Sequence, residues 1–191
     1  MRARHALAMM PLIGASAMAQ PPFDLDLLNS NFCNAYWELS PNVDDRPLGV
    51  DVDTIVLHHT ACDVSDTIRH FNNSNSNVSA HFTVDKDGGV LQHVSPWKRA
   101  WHAGISKDAA GREHVNDFSI GIEIVNYGNG ADPYPEVQVE SVKRLVEAIR
   151  KYFPIKQIVS HASIAQPPGR KNDPRSYPWD SLQDTGLTLV P

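Results

Sequence analysis

The sequence predicts an α/β domain with its site at one edge of the sheet. Three observations carry this. Strand-like and helix-like segments intermix along the chain, one long segment has a clear helical period, and two short strands end in histidine. A chain of 191 residues suffices for one domain with a proper core and is short for two. Its 41% hydrophobic and 20% charged residues are those of a soluble globular protein. A net charge of −5, with no dominant basic cluster, excludes a phosphate-backbone binder, so nucleic acid is not an expected partner.

Residues 1–19 read as a secretory signal peptide. Arg2 and Arg4 make a basic start, Ala6 to Gly14 is apolar, and Ala17-Met18-Ala19 is a small-x-small cleavage site. The apolar run is too short to span a bilayer, Pro11 interrupts it, and no cysteine follows closely to carry a lipid. Cleavage leaves 15 basic against 22 acidic residues and implies a periplasmic or secreted protein without a transmembrane segment. An uncleaved, unstructured N-terminus is the alternative. Residues 20–39 are expected to form an irregular lead segment, 40–185 the domain and 186–191 a tail. A monomer is expected.

Within the domain, Pro41, Pro47 and Gly49 make 40–53 a turn-rich approach. Thr54 to Leu57 is a short buried strand that delivers His58, His59 and Thr60 at its end. Strand side chains alternate faces, so at most one of the two histidines enters a given site. His58 is assigned as a metal ligand; the alternative is a pair of ordinary half-buried histidines. Ser65 is placed to cap a short helix carrying Ile68 and Phe71. Residues 79–94 alternate on both sides of Asp87-Gly88 and predict a hairpin. The stretch 97–104, WKRAWHAG, puts two tryptophans and a histidine where a surface loop would be polar. FSIGIEIVN (118–126) is a strong strand with Glu123 inside it.

Residues 136–153 are the clearest helix, with Val142, Leu145, Val146, Ile149 and Phe153 on one stripe. Glu140 with Arg144 and Glu147 with Lys151 sit four apart on its outer face, and Pro154 stops it. QIVSH (157–161) is a second strand ending in histidine. A Pro/Gly-rich loop then leads to Tyr177, Trp179 and Leu182, which pack back on the domain.

His161 shares the structural context of His58, and Asp173 lies on a loop able to fold back. Two nitrogens and one oxygen leave a fourth tetrahedral position for water, as a catalytic zinc requires; the same set also suits Fe(II). Glu123 is costly to bury unless a metal-bound water compensates it, in which case it can carry a proton. An outward-facing, surface-paired glutamate is the alternative. Lys171 is tethered near the metal and can stabilise an oxyanion, or is a solvated loop lysine. Cys33 and Cys62 form either a disulfide, favoured outside the cytoplasm, or two buried thiols.

TIVLHHTA, SAHFTVDKDG, KRAWHAG, NDFSIGIEI and HASIAQPPGRKNDP, in that order, resemble the zinc-dependent N-acetylmuramoyl-L-alanine amidases of the amidase-2 family. That family includes the phage T7 lysozyme type and the peptidoglycan recognition proteins; this chain is most similar to the AmpD/AmiD branch, over about residues 40–180. The resemblance implies a mixed central β-sheet flanked by helices, with one zinc ion in a groove on one face. It implies zinc on His58, His161 and Asp173, catalytic roles for Glu123 and Lys171, and Trp101, His102 and Asn116 along the substrate groove. The implied substrate is peptidoglycan or muropeptide, cut between the MurNAc lactyl group and L-alanine. Some members of the family bind peptidoglycan without cutting it, which leaves a non-catalytic binding module as the alternative. The chain departs from the family pattern by two extra residues around Gln166-Pro167. Metal binding survives that departure if the loop bulges outward.

Overall fold

The computed structural model describes residues 35–191. The expected signal peptide, most of the expected lead segment and Cys33 lie outside the described residues. The strands are β1 (Ala35–Trp37), β2 (Val43–Asp44), β3 (Thr54–His59), β4 (Phe82–Val84), β5 (Val90–Gln92), β6 (Arg99–Ala100), β7 (Ser119–Ile124), β8 (Gln157–Ser160) and β9 (Thr188–Val190). The α-helices are α1 (Val64–Phe71), α2 (Glu136–Arg150) and α3 (His161–Ile164). Among the described residues a seven-stranded sheet runs β1-β5-β4-β7-β3-β8-β9, with β2 and β6 in a separate antiparallel pair. The β4–β5 hairpin is antiparallel and the other neighbours in the large sheet are parallel, so the sheet is mixed.

Pleating explains how this sheet separates core from site. Ile55 and Leu57 of β3, Ile120, Ile122 and Ile124 of β7, and Ile158 of β8 join one buried cluster with Val142, Leu145, Val146 and Ile149 of α2. Each such side chain contributes on the order of 1.5–3 kcal/mol by leaving water. With a period of two, the intervening positions must face the other way. Val56 and Val159 accordingly join a smaller cluster with Ala103, Val115, Phe118 and Ile164. His58, Gly121 and Glu123 fall in the same alternation. Register then sets their height, since His58 pairs with Glu123, and Leu57 pairs with Ser160, one residue before His161.

Several local elements differ from the sequence reading. The end of the lead segment forms β1, and the expected tail contributes β9. Each is a three-residue edge strand paired on one side, too short to show alternation. The first helix is capped by Asp63, not Ser65, with the Asp63 side chain accepting from the Asp66 N–H at 2.8 Å. Both residue types cap well, and the helix starts early enough to place Ser65 in its first turn. Helix α2 ends at Arg150, so Phe153 packs from the turn after it rather than from the stripe. None of the helices among the described residues is long and apolar enough to cross a membrane.

Candidate metal centre and active-site cleft

Parallel strands β3 and β8 end side by side and present His58 and His161, both buried. Ser160 caps α3 by accepting from the Ser163 N–H at 3.0 Å, which turns the chain sharply and aims His161 inward. Asp173 returns from the following loop, tied to the helix by the Ala162 N–H donating to its carbonyl at 3.0 Å. The result is a triangle. His58 Nδ1 lies 3.0 Å from His161 Nδ1 and 3.1 Å from Asp173 Oδ2, and His161 Nδ1 lies 2.9 Å from Asp173 Oδ2. Three buried donor atoms this close to one another can hold a metal ion.

Electrostatics at the triangle keep the His58 imidazole neutral and the Asp173 carboxylate charged, the states a metal needs. Burial, reinforced by His161, pushes His58 down to about 4. Burial opposes the charge on Asp173, but contacts with His161 and His58 outweigh it and hold the carboxyl below the usual range. Glu123 is the reverse case. Its Oε2 is buried with no hydrogen-bond partner, and burial, together with the nearby Asp173 charge, pushes it up to about 8. Lys171 opposes that rise. His59, on the opposite side of the strand from His58, accepts from the Arg175 N–H at 3.1 Å and packs over Gly128. A side chain at 128 would collide with that ring.

The triangle opens into a cleft of about 530 Å³. Glu123, Lys171 and Asp173 line it beside the histidines, Trp101 forms part of one wall, and Cys62, His70 and Phe71 extend it towards α1.

Residues 48–176 match the family profile described as N-acetylmuramoyl-L-alanine amidase. The chain belongs to this family. It is 33% identical to the 1,6-anhydro-N-acetylmuramyl-L-alanine amidase AmpD of Haemophilus influenzae over 72% of this chain and 84% of that protein. It spans about half the length of the enterobacterial AmpD proteins it also matches. A crystal structure of an AmpD derivative superposes with a TM-score of 0.69 at 29% identity, covering 81% of this chain and 95% of that one. The amidase AmiD of E. coli superposes with a TM-score of 0.65 at 30% identity, covering 75% of this chain and 61% of that one. That structure is a complex with the substrate anhydro-N-acetylmuramic acid-L-Ala-D-γ-Glu-L-Lys.

The loop around Gln166-Pro167, where the resemblance leads one to expect two extra residues, leaves the triangle intact. Residues 167–170 are exposed, so the loop bulges to solvent while Asp173 stays beside His161. Arg170 staples it to the opposite wall: its Nε donates to the Gln166 carbonyl at 2.7 Å and its Nη2 to the Ile105 carbonyl at 2.9 Å. No sequence pattern announces a side chain aimed at carbonyl groups, and Arg170 was not among the expected site residues.

Two expected groove residues are placed differently from the substrate-facing role the resemblance implies. Asn116 stands behind the cleft wall, where its Oδ1 accepts from the His102 and Ala103 N–H groups at 3.1 and 2.8 Å. His102 touches the cleft, but its ring nitrogens point inward, with Nδ1 at 3.0 Å from His58 Nε2. Cys62 is half-buried, with its Sγ 3.3 Å from Thr67 Oγ1.

Proposed function

We propose that this chain is a zinc-dependent amidase that hydrolyses the bond between the MurNAc lactyl group and L-alanine in peptidoglycan or its fragments. The observation that carries the reading is the convergence of His58, His161 and Asp173 donors within one cleft that also encloses an unpartnered Glu123 carboxyl oxygen. Family membership and the muropeptide held by the E. coli relative support the substrate class.

Donors about 3 Å apart suit bonds of about 2.0–2.1 Å to a single zinc ion and leave room for a fourth ligand. When bound, zinc supplies Lewis-acid polarisation and acidifies water to near neutral pH. Glu123 takes the proton from the attacking water as its oxygen bonds to the carbonyl carbon. It returns that proton to the amine nitrogen as the C–N bond breaks. Its carboxyl lines the same cleft as the triangle and has one buried oxygen without a hydrogen-bond partner, available to take and return the proton. Lys171, exposed on the cleft rim, stabilises the oxyanion of the tetrahedral intermediate. Trp101, half-buried in the wall, offers an apolar face to the glycopeptide. Residues 1–19 direct export, which brings the enzyme to a substrate outside the cytoplasmic membrane.

The test is mass spectrometry of the products from a defined muropeptide, with zinc content measured in parallel. Glu123→Gln is expected to retain zinc while turnover falls roughly 10²–10⁴-fold, the share of a proton carrier. Unchanged turnover would remove Glu123 from the mechanism. Zinc-loaded wild type that binds muropeptide but releases no free stem peptide would make the chain a recognition module instead.

A further inference from the structure

Metal-ligating histidines have two ring nitrogens, and whatever holds the outer one decides whether the inner one offers a lone pair. Both outer nitrogens here meet consecutive residues of one short strap. His58 Nε2 lies 3.0 Å from His102 Nδ1, and His161 Nε2 lies 3.2 Å from the Ala103 carbonyl oxygen. The second contact has a single solution. A carbonyl only accepts, so His161 carries its proton on Nε2 and presents Nδ1 bare to the triangle.

The first contact is solved by following the chain of hydrogen bonds outward. Ser119 Oγ donates its proton to the Val115 carbonyl at 2.6 Å, so towards His102 it only accepts. His102 Nε2, 3.2 Å away, is therefore the N–H, and His102 Nδ1 is a lone pair. His58 must then donate from Nε2 and leave its own Nδ1 bare. The buried hydroxyl thus sets the tautomer of His102, and His102 sets that of His58.

The surroundings are built to keep this arrangement. Gly121 lies under the His102 ring, and a Cβ there would stand 2.5 Å from the ring's Cγ. Only glycine lets the imidazole lie on the β7 backbone. Asn116 Oδ1 takes both strap N–H groups, so the side chain of His102 and the carbonyl of Ala103 are fixed together.

We propose that His102, set by Ser119 and carried with Ala103 on a strap fixed by Asn116, is a positioning residue that holds His58 in the metal-binding tautomer. This rests on His58 being a metal ligand and assigns inward roles to two residues that the family resemblance puts on the substrate groove.

The experiment measures zinc affinity by competition with a chelator in wild type, His102→Leu, His102→Asn and Ser119→Ala. Visible spectra of the Co(II)-substituted proteins and ring-nitrogen NMR of the zinc-loaded wild type accompany it. Leucine removes the acceptor, whereas asparagine places a carbonyl oxygen near the position of Nδ1. His102→Leu is expected to weaken zinc binding about 10–100-fold with a changed Co(II) spectrum, and His102→Asn to recover most of the loss. Ser119→Ala frees His102 to move its proton to Nδ1 and is expected to weaken binding about ten-fold. The nitrogen spectrum should place zinc on Nδ1 and the proton on Nε2 of both His58 and His161.

Wild-type affinity in His102→Leu, or an asparagine variant as weak as the leucine one, would overturn the proposal. If leucine at 102 prevents folding, Ser119→Ala and the nitrogen spectrum decide: unaltered affinity, or zinc on His58 Nε2, would overturn it. A wild-type protein that retained no zinc would defeat the metal reading itself. Normal wild-type binding with indifferent variants would defeat only the relay.

Discussion

Strand β3 carries an ionisable cluster at each end, and the two are built in opposite ways. At its start, Asp53 is satisfied from every side. Arg112 donates to both carboxylate oxygens at 3.0 and 3.1 Å, Thr54 Oγ1 donates at 2.9 Å, and Lys156 Nζ stands at 3.5 Å. Arg112 is itself occupied by Asp108 at 2.7 Å and lies 4.0 Å over the Phe118 ring. At the finish, His58, His161 and Asp173 turn their donor atoms towards one another, and Glu123 has a buried oxygen with no partner. Buried polar groups are normally paired. A cluster that completes itself holds the fold together, whereas one that converges and remains incomplete marks where chemistry is done.

The strongest way to break this contrast is Asp173→Ala. Loss of one of three donors should cost zinc affinity more than the roughly 10–100-fold typical of residues standing behind a ligand. Chelator competition measures it, and tight zinc in this variant would mean a different third ligand.

The next effect concerns pH in the metal-free protein. Glu123 keeps its proton up to about pH 8 in the folded state, while the unfolded chain releases it near 4.5. Between those values this group binds more protons in the folded state, so its contribution to stability falls as pH rises. Buried histidines such as His58 and His93, held at about 4, act in the opposite sense below 6.5. The measurement is therefore the difference in urea-unfolding stability between wild type and Glu123→Gln, which should be more favourable to wild type at pH 5 than at pH 8. An equal difference at both pH values would return the carboxyl to ordinary solvent.

The other end should respond differently. Arg112→Met leaves Asp53 short of its main partner and is expected to cost about 1–3 kcal/mol of stability without changing zinc affinity. Burial acts against the Asp53 charge, but Arg112 and Thr54 hold it below 3.8. Its stabilisation is therefore fully present above that value and is lost below it, as pH falls through the lower folded-state pKa. The variant should lose less on acidification than wild type. The smallest effect is expected for Arg69→Ala, which removes an exposed ion pair with Asp66 on α1. A change of at most about 0.5 kcal/mol and normal zinc binding would give the baseline for the other comparisons.

What could be read in the sequence divides along similar lines. Ile55, Leu57, Ile120, Ile122 and the stripe of α2 reveal their elements because burial imposes a period on residue type. His58, His161 and Glu123 were legible because polar residues inside apolar strands demand an explanation. The rest depends on partners distant in sequence. Nothing in the composition of WHAG says that His102 faces inward, since that follows from the absence of a side chain at Gly121. Asn116 looks like any loop asparagine until the strap is placed above it. β1 and β9 escape notice because three residues on a sheet edge carry almost no pattern.

One of the proposed ligands, His58, sits on β3 and another, His161, directly follows the end of the adjacent parallel strand β8. The distance between such strands, about 4.8 Å, is a property of the peptide group. That half of the coordination sphere is a fixed gauge that side-chain substitution cannot recalibrate. Asp173 alone sits on a span of irregular backbone, exposed to solvent at 167–170. Re-engineering this scaffold to prefer a larger or smaller cation should therefore begin between 165 and 173, with both strands left untouched.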